Sequence, residues 1–159
     1  MQYFLGIDIG TYESKGILTD KDGNVIASAT NPHKMLVPEP GWAEHRPEED
    51  WWNDFVKITK KILKASRINP GDISCIATSA IGPCMLPVSY EGDPLMNAVL
   101  YGVDTRAEKE IIELNQEVGK EKILQNCGNA LTSQSVGPKI LWLKKNCPEI
   151  YKKAGKILS

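Results

Sequence analysis

The sequence predicts an α/β fold whose mixed sheet opens with three antiparallel strands and is flanked by helices. Three observations carry that expectation. Two short β-rich runs near the amino terminus are followed by the turn string Asp20-Lys-Asp-Gly-Asn24 and then a third, alternating run. A further β-rich run comes only after an amphipathic helical stretch. From Thr105 onward the pattern is helical. Antiparallel neighbours need only a tight turn, whereas parallel ones need a crossover of about a dozen residues or more, so one sheet should hold both pairings.

Tyr3–Ile9 is short, apolar and closed by Gly10, the pattern of a buried strand. Residues 14–19 form the second strand, and the Asp-Gly and Asn that follow supply the positive φ of a tight hairpin. Residues 25–30 alternate small apolar with polar side chains and complete an antiparallel meander. Residues 31–46 are a proline-rich connection. The helix after it carries Pro47 in its first turn, where a missing N–H costs nothing. Glu48, Glu49 and Asp50 suit its positive end, and Lys57, Lys60, Lys61 and Lys64 its negative end. Phe55, Ile58, Ile62 and Ala65 form one apolar stripe headed by Trp51 and Trp52, and Asn69-Pro-Gly-Asp72 stops the helix.

Ile73–Ala80 is then expected to be a buried strand parallel to the first. Residues 85–89 and 97–103, around the turn Glu91-Gly-Asp-Pro94, predict a hairpin. Helices are expected over 106–118, 120–125, Val136–Asn146 and 149–153. Lys156–Leu158 begins a new apolar segment, so the chain reads as a piece of something longer.

Length and composition narrow the classes. At 159 residues the chain suits a single domain with a real core. Its 42% hydrophobic and 25% charged residues are ordinary for a globular protein. A net charge of −1 gives no reason to expect nucleic acid or an anionic membrane as partner. No apolar run approaches the ~20 residues of a membrane span. The amino terminus lacks the basic region and cleavage site of a signal peptide, so a cytoplasmic setting is expected. Cys75, Cys84, Cys127 and Cys147 are irregularly spaced, and neither His33 nor His45 stands at zinc-ligand spacing from them; reduced thiols are the expectation.

The stretch Gly6-Ile-Asp-Ile-Gly-Thr11, with Lys15 beyond it, carries the chemistry. Asp8 closes the first strand and Gly10-Thr11 begins the turn. Glycine permits close backbone approach, and successive turn amides can cradle phosphate oxygens. A neighbouring carboxylate can hold Mg²⁺, usually through water, and Lys15 adds a positive charge. Alternatively, Asp8 caps a tight turn and Lys15 is merely solvated. Asp104-Thr-Arg106 likewise reads as a helix N-cap with an ion pair unless a ligand claims the carboxylate.

Four motifs tip this balance by resemblance. Asp8-Ile-Gly-Thr11 with Lys15 resembles the first phosphate motif of the sugar kinase, heat-shock protein and actin superfamily. Pro40-Gly-Trp-Ala-Glu-His45 followed by Pro47-Glu-Glu-Asp-Trp-Trp52 resembles the proline-tryptophan segment of the FGGY carbohydrate kinases. Tyr101-Gly-Val-Asp-Thr-Arg-Ala107 is similar to that family's sugar-site motif. Gly137-Pro-Lys-Ile-Leu-Trp-Leu-Lys-Lys-Asn146 is similar to a helix near the end of its first conserved block.

The resemblance, which is xylulose kinase-like, implies a ribonuclease H-like fold of the actin-like ATPase superfamily. Residues 1–159 would then be an incomplete N-terminal lobe. It further implies ATP and Mg²⁺ as cofactors, a sugar or polyol substrate, a C-terminal lobe of the same protein as partner, and room for homo-oligomers. Asp8 would assist Mg²⁺, with Gly10, Thr11 and Lys15 near the phosphates. Asp104 and Arg106 would grip the sugar, and Pro83 and Cys84 would lie on its side of the cleft. Trp42, Glu44 and His45 read as mainly architectural. The general-base aspartate is expected beyond residue 159. One departure stands out: Ala80-Ile-Gly-Pro-Cys-Met85 replaces a Gln-Met-His-Gly-type segment, removing the polar side chains that would touch a pentulose. An ATP-binding protein of the actin or heat-shock kind, or a non-catalytic α/β module, is the alternative.

Overall fold

The computed structural model describes residues 2–159. In chain order the strands are β1 (Tyr3–Ile9), β2 (Glu13–Asp20), β3 (Val25–Pro32), β4 (Glu44–His45), β5 (Ile73–Ala80), β6 (Leu86–Val88), β7 (Ala98–Val99) and β8 (Lys156–Leu158). The helices are α1 (Asn53–Ser66), α2 (Glu108–Leu114), α3 (Lys120–Cys127), α4 (Val136–Asn146) and α5 (Pro148–Lys153). They divide into two compact units, one from Met1–Met35 with Arg46–Ile81 and the other from Leu36–His45 with Gly82–Ser159.

The first unit is a four-stranded sheet in the order β3-β2-β1-β5. β1 pairs antiparallel with β2 and parallel with β5, and β2 pairs antiparallel with β3, as the turn chemistry and the helical crossover require. Alternation sends Leu5, Ile7 and Ile9 to one face, where Leu18, Ile58 and Ile62 complete the core. Full burial of such aliphatic side chains is worth roughly 1.5–3 kcal/mol each.

The helical region begins as a wider π-type turn at Pro47–Trp52 that runs into α1, with Pro47 at its start. Asp50 is buried there and takes Arg46 Nη2 on Oδ1 at 2.7 Å, which raises the guanidinium's proton affinity. Ala65 is exposed and drops out of the expected stripe. α1 stops at Ser66, earlier than predicted, because Arg67 adopts the left-handed conformation at φ 56°. Asn69 instead caps a short 3₁₀ turn, Pro70–Asp72, its side chain accepting from the Gly71 N–H at 3.0 Å.

β5 is parallel to β1 as expected, but it is not buried. Ile76 stands opposite Leu5 in register yet is 52% exposed. The reason is position: β5 is the edge strand, and α1 packs over β1, β2 and β3.

The second unit holds two small sheets. β4 pairs with β7 (Glu44↔Val99, His45↔Ala98), and β6 pairs with β8 (Leu86↔Leu158). The expected hairpin between 85–89 and 97–103 survives only as isolated bridges, Met85↔Val99 and Val88↔Pro94. The proline-rich connection supplies an unforeseen strand, β4, which takes up the pairing of β7. Met85, Val99, Ala107, Trp142 and Leu143 form the core. The helix expected from 106 starts at Glu108, since Asp104–Arg106 lies in a turn closed by Asp104 N–H to the Tyr101 carbonyl. It then widens into a π-type turn, Asn115–Gly119, before α3.

Gly16 on β2 shows how tightly α1 seats. A Cβ added there would collide with Ile58 and lie 3.0 Å from Ile62 Cδ1. Gly16→Val is therefore expected to cost about 1–3 kcal/mol through overpacking, read as a lowered thermal midpoint. An unchanged midpoint would show that α1 does not bear on β2.

Candidate functional site

The β1–β2 register places Asp8 opposite Lys15, and the β1–β5 register places it opposite Ser79. Thr30 of β3 lies opposite Lys15 in turn. Thr30, Lys15, Asp8 and Ser79 thus form one transverse row on the sheet face that alternation turns away from α1. The Ser79 hydroxyl donates to Asp8 Oδ1 at 2.6 Å, while Lys15 pairs with Glu13 at 3.2 Å and stays exposed. These side chains line an open concavity of about 590 Å³ together with Gly6, Gly16 and Ser28. At its end the Gly10 N–H donates to the Glu13 carbonyl at 3.1 Å, closing the turn. A Cβ on Gly10 would sit 2.6 Å from that carbonyl oxygen, so the turn needs glycine. Thr11 is half-buried within it. Asp8, Gly10, Thr11 and Lys15 are thus on one hairpin, and Asp8 faces open space.

The donor set fits Mg²⁺ of the kind bound through one carboxylate, waters and substrate phosphates. Asp8 is exposed, with a hydroxyl steadying one oxygen. Among the described residues there is no group of three or more His, Cys, Asp or Glu that could cage a metal without such help.

In the second unit the Asp104 carboxylate faces protein partners rather than open space. Its side chain and that of Arg106 are both 0% exposed. Asp104 Oδ2 accepts the Ala43 N–H at 2.7 Å and Arg106 Nη2 at 2.8 Å; Oδ1 accepts Arg106 Nε at 3.0 Å. Arg106 Nη2 also reaches Glu44 Oε1 at 2.8 Å, and Asn97 holds the other Glu44 oxygen at 2.9 Å. The guanidinium lies 3.9 Å from the Trp42 ring centroid and 5.0 Å from that of Trp142, whose rings meet edge-on. Both Asp104 oxygens are thus engaged by protein donors. Arg106 braces Asp104 and Glu44 through Nε and Nη2, while its Nη1 is buried without a hydrogen-bond partner. Cys84 is buried, and burial pushes its thiol up; Pro83 is half-buried beside it.

Lys139 and the His33–Asp54 pair were not singled out by sequence reasoning. Lys139 lies inside the quoted Gly137-Pro-Lys string but reads there as an ordinary helix cation. It is 1% exposed, donates to the carbonyls of Leu100 and Tyr101, and is pulled down by burial despite the nearby Asp104. His33 sits in a proline-flanked connection that gives no local signal of burial.

Fold and hairpin define the class: a lobe of the ribonuclease H-like, actin-like ATPase kind. Residues 3–159 match the FGGY family of carbohydrate kinases, N-terminal domain. The glycerol kinase of Borreliella afzelii (strain PKo) is 35% identical over 156 residues, which is 97% of this chain and 30% of the relative. Xylulose kinase from Rhodospirillum rubrum superposes with a TM-score of 0.90 at 26% identity, covering 99% of this chain and 32% of that one. Plasmodium falciparum glycerol kinase with ADP gives 0.83 at 25% identity, covering 96% and 30%. The chain belongs to the FGGY family of carbohydrate kinases, and it spans about 30% of the length of the glycerol kinases it matches.

Removing one partner from a buried ion pair typically costs about 3–5 kcal/mol. Asp104→Ala should therefore unfold the second unit or lower its melting temperature sharply. A sugar-gripping Asp104 would instead leave stability unchanged and weaken sugar binding alone, and calorimetry with and without sugar separates the two.

Proposed function

We propose that this chain is the N-terminal lobe of an ATP-dependent kinase that phosphorylates a hydroxyl of a small polyol or sugar. The carrying observation is the row Thr30-Lys15-Asp8-Ser79 running to the Gly10 turn on an uncovered sheet face. Phosphoryl transfer is catalysed mainly by positioning and charge stabilisation. The Gly10–Thr11 backbone approaches the phosphates, and Lys15 offsets their charge. Asp8, oriented by Ser79, would hold Mg²⁺ through water. When bound, the ion neutralises charge on the β- and γ-phosphates. Supporting ATP use is the related Plasmodium glycerol kinase, whose structure holds ADP. The remaining C-terminal lobe would supply the general base.

For the acceptor, the segment Ile81-Gly-Pro-Cys84 carries no amide or imidazole side chain, and its Cys84 is buried. A segment of that composition suits a short polyol better than a pentulose that needs polar partners there. A cytoplasmic setting agrees with four cysteines that form no disulfide. No helix among the described residues is long and apolar enough to cross a membrane.

Joined to a C-terminal FGGY lobe, the chain should release ADP from ATP and Mg²⁺ in the presence of glycerol or a related polyol, while the chain alone should not. No acceptor-dependent ADP from the joined protein, across polyols, pentuloses and gluconate, would refute the kinase reading. In the same protein Asp8→Ala should lower turnover about a hundredfold, the equivalent of the few kcal/mol a bound ion supplies, with little change in acceptor KM. An unchanged turnover would remove Asp8 from the metal site.

A further inference from the structure

The His33 side chain ties the β1–β2 turn to the helical layer of the first unit. It follows the end of β3, and its ring is almost wholly buried, with 4% of the side chain exposed against 1% for Asp54. Nδ1 lies 2.8 Å from Asp54 Oδ2, and Nε2 lies 3.0 Å from the Gly10 carbonyl oxygen. The Gly10 carbonyl can only accept, so Nε2 is the donor in that contact. Asp54 is itself fixed, because its Oδ1 accepts the Asn31 side-chain N–H at 2.7 Å.

The main chain of the same residue acts on the same turn. The His33 N–H donates to the Tyr12 carbonyl at 2.9 Å. One residue therefore holds two carbonyls of the turn, Gly10 and Tyr12. A trans peptide is planar with its N–H opposite its C=O. Fixing those carbonyls on the His33 side turns the amides of Thr11 and Glu13 the other way. Amide direction is what a backbone phosphate cradle depends on.

We infer that His33, anchored by Asp54, is a positioning residue that sets the orientation of the Gly10–Glu13 turn for nucleotide phosphate. The role of the turn in phosphate binding rests on the kinase reading above; the clamp itself does not. His33 touches neither substrate nor reacting atoms. Loss of its ring contact should loosen the turn and weaken nucleotide binding while leaving the acceptor site alone.

The test uses two conservative variants and two readouts. His33→Gln can place an amide donor near the position of Nε2, facing Gly10, whereas His33→Asn can place one near Nδ1, facing Asp54. In the chain itself, ¹⁵N spectra should show a proton on Nε2 of His33, and the Gly10 amide should be protected from hydrogen exchange. Protection should be kept in His33→Gln and lost in His33→Asn. In the lobe-complete kinase, His33→Asn should raise KM for ATP about tenfold, the scale of one lost hydrogen bond, with acceptor KM unmoved and His33→Gln close to the parent. A bare Nε2 in the parent chain, or equal Gly10 exchange in the two variants, would overturn the clamp, and the ring spectrum decides this even if His33→Asn fails to fold. A protonated Nε2 and the split in exchange, in a lobe-complete protein that binds no ATP, would uphold the clamp and defeat the kinase reading.

Discussion

One buried guanidinium organises the second unit. Arg106 is shut away from water, and a buried charge is costly unless protein groups meet it. Asp104 and Glu44 take Nε and Nη2, Trp42 and Trp142 cover the faces, and Nη1 is left without a hydrogen-bond partner. These partners come from three separate stretches of sequence: Pro40–His45, Tyr101–Ala107 and α4. Strings that look like independent motifs along the chain are, in space, parts of the surroundings of one buried ion. That explains why β4 exists at all. Two residues, Glu44 and His45, pair with β7, and this pairing delivers the Glu44 carboxylate to Arg106.

The first unit obeys the opposite rule. Its charged row lies on a sheet face that no helix covers, and strand register alone brings Asp8, Lys15 and Ser79 together from three strands. Register is strongly specified here because the other face is the core. A slip by one residue would turn Leu5, Ile7 and Ile9 out to water and Asp8 in toward Ile58. Apolar packing on one side of the sheet thereby fixes the chemistry on the other. Gly16 serves the same end by letting α1 approach β2 closely enough to hold that register.

Much of this was legible because it is local. The meander, the proline-started helix, the parallel β5 and the bounds of α4 each follow from periodicity or turn chemistry within a short window, and the structure has them. What sequence reasoning missed is non-local. The burial of β5 was misjudged because its apolar, β-branched composition is the same whether a strand lies at the centre of a sheet or at its edge. The pairing of β6 with β8 joins residues some seventy positions apart, Leu86 with Leu158, and no hairpin signal announces it. His33 and Asp54 are ordinary polar residues in sequence, separated by twenty-one positions, and only their burial makes them partners.

The contrast between Asp8 and Asp104 carries the functional argument furthest. Both are single aspartates in recognisable strings, and sequence gives them equal standing as ligand-binding carboxylates. In Asp104 both oxygens accept from the protein within 2.7–3.0 Å and the side chain is shut away from water. Asp8 is exposed, with a serine hydroxyl orienting one oxygen beside a glycine turn. A carboxylate that folding does not consume, held in place by strands that packing has already registered, is the one proposed above to hold a hydrated cation.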